Sequence, residues 1–491
     1  DDIMSLARKA VSSRSRVTRC VSVAACVGLF VAMGCGAPPA PESDAPEGAA
    51  LEVSGSFDTA TPDRPHLVDA LSMPAEPTLS VDSFTSASEC AECHPRHYAE
   101  WSTAMHAYAT VDPVWRALVG VRQADFNGER DKFCVQCHTA IGTRGGEITA
   151  NFSWDDLSPI SLEGVTCEAC HKISSIERPF TGGHVLDESG PIRGPIRDPV
   201  ETFFHESEYS EIFDSSELCA SCHDVFEQHG LNLERPYAEW LESPAAREGK
   251  NCQSCHMPTY TGQAAVLDGV PERDNLHSHR FIGVDIPLSP TFIEDPAVFE
   301  EVRREVKALL ASAGEIELSA ADAVSAGALL NVNATVRNLI DAHNLPTGAT
   351  FNRQVWIALT ATDAAGTVLF ETGHLDANGD LRTWGSDEPD SDAHLTTFQS
   401  GFTDADGNRT PFPWRAVENV SNSIAPLTER STTFPIPTAG AVGPITIDAK
   451  LRFRQAPPFV ARALGLGAAV PRIEIHEIGE ATLTVAVEAN D

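Results

Sequence analysis

Hydrophobic and polar positions follow different rules in successive parts of this 491-residue chain. An apolar run from Val21 to Met33 follows a basic stretch carrying Arg8, Lys9, Arg14, Arg16 and Arg19. The run is too short for a comfortable membrane span, and residues 1–35 read as an export signal. Residues 36–85 are rich in Pro, Ala, Ser, Asp and Glu, which predicts a disordered tether. Further on, Asp295-Pro296 can cap and start a helix, with Val298, Val302, Val306, Leu309 and Leu310 on one face and Gly314 at its end. This assigns 291–315 to a connecting helix. From Ile316 the period becomes two: Leu330, Val332, Ala334 and Val336 alternate with Asn331, Asn333, Thr335 and Arg337. Val355, Ile357 and Leu359 alternate likewise, then Ile445 to Phe453, and finally Leu483, Val485 and Val487. Half-buried strands without intervening helices predict an all-β sandwich of immunoglobulin-like type over 316–491.

Composition narrows the picture. There are 35 basic against 70 acidic side chains, a formal net charge of −35. A nucleic-acid partner is therefore not expected, whereas a redox protein with a basic docking surface is favoured. At the end of the apolar run stands Ala32-Met33-Gly34-Cys35, followed by Gly-Ala-Pro-Pro-Ala-Pro. Small residues before a cysteine and a Pro-rich tether after it resemble a bacterial lipoprotein cleavage site, although Ala32 stands where such boxes usually carry leucine. On this reading Cys35 is lipidated, and the protein is periplasmic or at the cell surface, anchored to the outer membrane. An ordinary signal peptidase site is the alternative.

Residues 86–290 are organised by a repeated motif. C-x-x-C-H occurs at Cys90/Cys93/His94, Cys134/Cys137/His138, Cys167/Cys170/His171, Cys219/Cys222/His223 and Cys252/Cys255/His256. This is the attachment signal for haem c: two thiols one turn apart add to the vinyl groups, and the next residue puts an imidazole on the iron. The five copies use ten of the thirteen cysteines; Cys20, Cys26 and Cys35 fall in the signal, so none is left for disulfides. Zinc sites draw four ligands from paired motifs and leave the trailing histidine of every copy unexplained. Five haems in about two hundred residues would themselves form the core, wrapped by short helices and loops. The chain is thus expected to be multidomain, with a haem-packed domain of short helices and loops followed by the β-sandwich. Two spacings repeat, since Cys134 to Cys167 and Cys219 to Cys252 each span 33 residues. Tyr98-Ala-Glu-Trp101 recurs as Tyr237-Ala-Glu-Trp240, which fits a duplicated unit.

Each iron also needs a sixth ligand. The methionines are Met4, Met33, Met73, Met105 and Met257. The first three lie in the signal and tether, and Met257 directly follows an axial histidine, so methionine cannot serve most of the haems. Seventeen histidines are present, and twelve remain beyond the motifs. Mostly bis-histidine, low-potential haems are expected.

The run Cys90–Ala107, with Tyr98, Trp101 and His106, resembles multihaem cytochromes grouped with nitrifier tetrahaem cytochromes and hydroxylamine oxidoreductases. So do the surroundings of the other four motifs, such as Gly164-Val-Thr-Cys167 and Asn251-Cys-Gln-Ser-Cys-His-Met-Pro258. His343-Asn-Leu-Pro-Thr-Gly348 and Asn352-Arg-Gln-Val-Trp356 look like the β-rich C-terminal extension of exported bacterial members. The resemblance covers roughly 86–375 and implies electron transfer between closely stacked haems. Five motifs depart from the tetrahaem and octahaem types, so no ligand order is carried over. By position the distal candidates are His106, His205, His279 and His343, with His184, His229 and His277 competing for a fifth place. His97 reads as a neighbour of a ligand, and His66, His374, His394 and His476 as solvent-facing. The expected function is an exported electron carrier and not an enzyme. If one haem lacks a distal histidine, an oxidoreductase acting on a small nitrogen or sulfur compound is the alternative; a haem filament built by self-assembly is a third reading. Asp376-Ala-Asn-Gly-Asp380 and Asp404-Ala-Asp-Gly-Asn408 read as turns rather than calcium loops.

Overall fold

The computed structural model describes residues 79–227 and 230–489. The expected export signal with Cys20, Cys26 and Cys35, the expected tether up to 78, His66 and His229 lie outside the described residues. Among those described, no helix is long and apolar enough to cross a membrane.

Residues 79–85, assigned to the tether on composition, belong to the folded part. Phe84 is buried with Ala140 and Ile141, and the Thr85 amide donates to the Glu168 carboxylate (2.8 Å). Phe84, with Leu79 and Val81 beside it, anchors a segment whose composition otherwise reads as unfolded.

The N-terminal region consists of short helices and two-stranded ribbons. Several helices begin on proline, including Pro95–Trp101, Pro113–Phe126 and Pro236–Leu241. Proline is tolerated there because the first helical N–H has no partner within the helix. Helix α1 (Pro113–Phe126) is the longest in this region. Asp112 caps it by accepting from the Val114 amide (2.9 Å), and Asn127 ends it in the left-handed conformation (φ 52°). Apolar side chains here form small separate clusters, such as Val119 with Ile148 and Phe152, or Ala87 with Trp101. The clusters surround a cavity of about 1500 Å³.

Helix α2 (Pro296–Ala313) is capped by Asp295, whose carboxylate accepts from the Ala297 amide (2.8 Å). Its stripe does not face the haem-motif region alone: Val306, Leu310 and Ala313 enter the core of the β domain. That domain contains β1 (Gly314–Ser319), β2 (Ala323–Ser325), β3 (Leu329–Asn338), β4 (Gln354–Thr362), β5 (Val368–Thr372), β6 (Glu429–Pro437), β7 (Ile445–Arg454) and β8 (His476–Glu488). One sheet has the order β2-β8-β7-β4-β5 and the other β6-β3-β1. Val332, Ala334, Val336 and Phe434 from the smaller sheet share a core with Val355, Ile357, Ile447 and Leu451 from the larger. The period-two residues are those facing inward, as a half-buried strand requires. His476, expected at the surface, is only 4% exposed. It opens β8 opposite Phe453, and the β7 pairing carries it inward. In the long β5–β6 connection, Asp376 accepts from the Asn378 and Asp380 amides and the Ser386 hydroxyl. Asp380 pairs with Arg462.

Candidate haem sites

Each C-x-x-C-H motif lies in or at the end of a short helix: Ala87–Cys90, Asp131–Val135, Cys167–His171, Ser216–His223 and Cys252–His256. One helical turn brings residues three and four apart onto the same face, so both thiols and the imidazole of a motif point the same way. Local capping fixes several of these turns. Ser86 accepts from Ser88 N, Ser215 from Glu217 N, and Asn251 forms a capping box with Ser254. All ten cysteines are free of disulfides, and all five motifs line the one large cavity.

Hydrogen bonds orient the motif imidazoles. Nδ1 of His94 donates to the Ala264 carbonyl (2.7 Å), of His138 to Ala109 (3.3 Å), of His171 to Arg193 (2.5 Å) and of His256 to Ile282 (2.6 Å). This leaves Nε2 as the lone-pair nitrogen, the arrangement of a metal-binding histidine whose other nitrogen is tied down.

Four motif histidines face a second imidazole. The ring centroids are 6.3 Å apart for His94 and His205, and 6.2 Å for His171 and His279. His223 faces His106 at 6.0 Å, and His256 faces His343 at 6.4 Å. Three of these pairs are stacked, with interplanar angles of 26°, 19° and 18°; His106 and His223 are tilted at 50°. Two metal–nitrogen bonds of about 2 Å, with the distance from nitrogen to ring centre at each end, separate imidazole centroids by about 6 Å. Burial pushes His106 and His279 down to about 3, and His138 and His343 down to about 4, so these rings are neutral at physiological pH.

His138 differs. Trp115 on α1 stacks against it at 3.7 Å with rings 9° from parallel. Among the described residues no histidine faces it at the spacing of the four pairs. Of the residues that competed for this place, His229 lies outside the described residues, and His184 and His277 do not face a motif histidine at the spacing of the four pairs. His184 is buried with Nδ1 beside Cys222 Sγ (3.6 Å) and Ser221 Oγ (3.5 Å), and His277 Nδ1 donates to the Met257 carbonyl (2.8 Å). His97 Nε2 meets the Tyr260 hydroxyl (3.1 Å), and its ring lies edge-on to His94 and His279.

The Tyr-Ala-Glu-Trp repeat has a structural role that sequence reasoning noticed only as a repeat. Trp101 Nε1 donates to the Val165 carbonyl and Trp240 Nε1 to the Lys250 carbonyl, both at 2.8 Å. Each acceptor stands two residues before a motif, the third and the fifth. The neighbouring glutamates hold the facing histidines of those same motifs. Glu100 accepts from the His279 amide (2.8 Å) and the Arg96 guanidinium (2.9 Å). Glu239 accepts from the Asn344 amide (3.1 Å), the Asn344 side chain (3.0 Å) and the Thr347 hydroxyl (2.5 Å). His343 lies in the β3–β4 loop, and buried Asn338 steadies it by donating to the His343 and Ile424 carbonyls (3.0 Å each). The β domain therefore brings His343 to face the fifth motif.

Contacts between motifs define a branched order. The Cys90 thiol lies within interaction range of Cys167, Cys137 of Cys222, and Cys219 of Cys252. Phe281 sits 4.3 Å from His106 and 5.6 Å from His279, linking the third and fourth sites. The order is first–third–fourth, with the second and the fifth both meeting the fourth.

The residues present fit haem c. The cavity exceeds an ordinary small-molecule pocket of roughly 300–1,000 Å³. Its donors come as facing pairs, and among the described residues no three His, Cys, Asp or Glu side chains converge as a self-contained metal centre. Arg193 Nη1 and Arg353 Nε are buried on the wall without a hydrogen-bond partner among the described residues, donors suited to porphyrin carboxylates.

The fold and these sites define a multihaem c-type cytochrome. The family model described as "Cytochrome c554 and c-prime" matches residues 89–172. The C-type polyheme cytochrome OmcB of two Geobacter sulfurreducens strains is 29% identical over 150 residues, 28% of this chain. That match spans 16% of the length of these curated relatives. The crystal structure of a penta-heme cytochrome c552 from Thermochromatium tepidum superposes with a TM-score of 0.55 at 20% identity. It covers 83% of this chain and 100% of the other, so the two share a fold.

Proposed function

We propose that this chain is an exported electron carrier with five covalently attached haems c, four of them ligated by two histidines. The observation that carries the reading is the set of four facing imidazole pairs at 6.0–6.4 Å: His94/His205, His171/His279, His223/His106 and His256/His343. Haem c supplies one-electron redox chemistry when bound. The chain's own part is to hold the imidazoles neutral and oriented, keep water out, and bring the sites into contact. Two histidines on an iron favour the reduced state less than methionine does, so these sites have low potentials. Close approaches among the motif thiols supply the short gaps that electron transfer needs. The likeness to cytochrome c554 and c-prime at residues 89–172 supports a grouping with the nitrifier multihaem cytochromes. The sheet orders β2-β8-β7-β4-β5 and β6-β3-β1 support an immunoglobulin-like sandwich. A lipid on Cys35 would hold the protein at the outer membrane. Mass spectrometry of the mature protein tests the count, with five haem additions expected. Ferric EPR tests the ligation: four low-spin haems are expected, and predominantly high-spin signals defeat the reading.

A second reading rests on His138, which faces Trp115 rather than a histidine. A five-coordinate haem there would bind a small nitrogen or sulfur compound. A high-spin signal shifted by nitrite or hydroxylamine is its expected sign, and five low-spin haems without response remove it.

A further inference from the structure

We propose that the end of the haem array at the first motif is a docking surface for a redox protein whose contact face has an apolar centre and a rim of lysine and arginine. The proposal rests on the electron-carrier reading and names where one partner binds. The first motif meets the third, with His97 6.0 Å from His94 and 4.7 Å from His279, and among the described residues this places it at an end of the branched order. Its facing histidine, His205, lines the cavity at its exposed edge, whereas His106, His279 and His343 are half-buried. The segment carrying His205 also presents Phe203 at 90% exposure, Phe204 at 57% and Val200 at 37%. The two phenyl rings lie 4.0 Å apart.

Haem burial does not account for all of this apolar surface. Val200 and Phe204 line the cavity wall, but Phe203 does not and turns outward. The segment is held by its surroundings. Arg273 pairs with Asp198 (2.8 Å) and Arg193 with Glu208 (3.3 Å), and Ser207–Tyr209 pairs with Ile192–Gly194. An anchored loop that displays an aromatic pair at this exposure marks an interaction site. Exposed Glu201 and Glu206 flank the rings. On a chain of net charge −35, this pattern selects a basic partner and disfavours a second acidic copy. An apolar centre with a charged rim is the form of a brief redox encounter, in which the rim sets the encounter rate and the centre sets orientation.

The test is stopped-flow oxidation of the reduced, fully haem-loaded protein by mitochondrial cytochrome c, a basic redox protein, and by hexaammineruthenium(III), a small complex. Wild type, Phe203→Ser and Glu201→Lys are compared after optical spectra confirm five haems in each. The wild-type rate with cytochrome c is expected to fall as salt rises. Phe203→Ser should lower that rate about tenfold and leave the ruthenium rate unchanged. Glu201→Lys should lower it at low salt and flatten the salt dependence. If both variants match wild type with cytochrome c while ruthenium oxidises all three, the docking surface is overturned and electron carriage stands. If neither oxidant takes electrons from wild type, the carrier reading itself fails. If Phe203→Ser abolishes self-association of the wild type but leaves the cytochrome c rates untouched, the face belongs to a second copy and the proposal is overturned.

Discussion

Glu239 offers a sharp test of how the β domain serves the fifth haem site. Its carboxylate receives three donors from the loop carrying His343: the Asn344 amide, the Asn344 side chain and the Thr347 hydroxyl. Burial raises this carboxyl and the three donors pull it back down, so the anion and the loop stabilise each other. A hydrogen bond to a charged group contributes about 1.5–3 kcal/mol, and these are partly buried, so the low end applies. Glu239→Ala should forfeit on the order of 4 kcal/mol of loop docking. Every 1.4 kcal/mol is tenfold, so the docked state loses about three powers of ten against the undocked one. Glu239→Gln keeps one carbonyl acceptor and should forfeit about half as much. In the ferric holoprotein, EPR and the optical spectrum should show a high-spin gain of up to one haem in five in the alanine variant, with a smaller gain in glutamine. The β domain should unfold at close to its wild-type temperature, because most of its core lies between the two sheets and only Leu345 of this loop enters it. An alanine variant with an unchanged spectrum refutes the reasoning, as does a loss of low-spin signal spread over several haems.

Glu100→Ala should give the same signature at the third site, since Glu100 holds the His279 amide; EPR of a Glu100/Glu239 double variant should show the two losses adding. Trp101→Phe removes the bond to the Val165 carbonyl and should cost about 1 kcal/mol in thermal unfolding. Leu310→Ala, at a side chain 2% exposed in the β-domain core, should cost about 2–5 kcal/mol in denaturant unfolding. Burial pushes Asp112 up to about 6 from an ordinary 3.8. The folded state then binds this proton more tightly than the unfolded one, so stability falls as pH rises from about 4 to about 6, by on the order of 3 kcal/mol. Asp112→Asn keeps the cap of α1 and should flatten that slope in melting temperature against pH.

Much of this protein is written locally. The haem attachment chemistry depends on residues within one helical turn, so five copies of C-x-x-C-H define it without knowledge of the fold. Strands β3, β7 and β8 are legible because one face of each meets a core and the other meets water, whereas β4 is covered on both faces. The ends of α2 are legible because Asp295, Pro296 and Gly314 act on their own backbone. The four distal candidates were legible as residues, since so few other ligand types are available. Their pairing was not. His94 meets His205 and His256 meets His343 only after distant segments cross the cavity, and no local period records such a crossing. The same holds for His138, which meets a tryptophan of α1, and for Phe84, which draws the end of a disordered-looking stretch into the fold. The shared role of Glu100 and Glu239 lies between these cases, because their repeat is visible in the sequence while the loops they hold are brought to them only by tertiary packing. Composition and spacing alone determine that this chain carries haems. Which imidazole faces which, and therefore which site differs from the others, is decided by long-range contacts around a core that is mostly cofactor and leaves no hydrophobic pattern of its own.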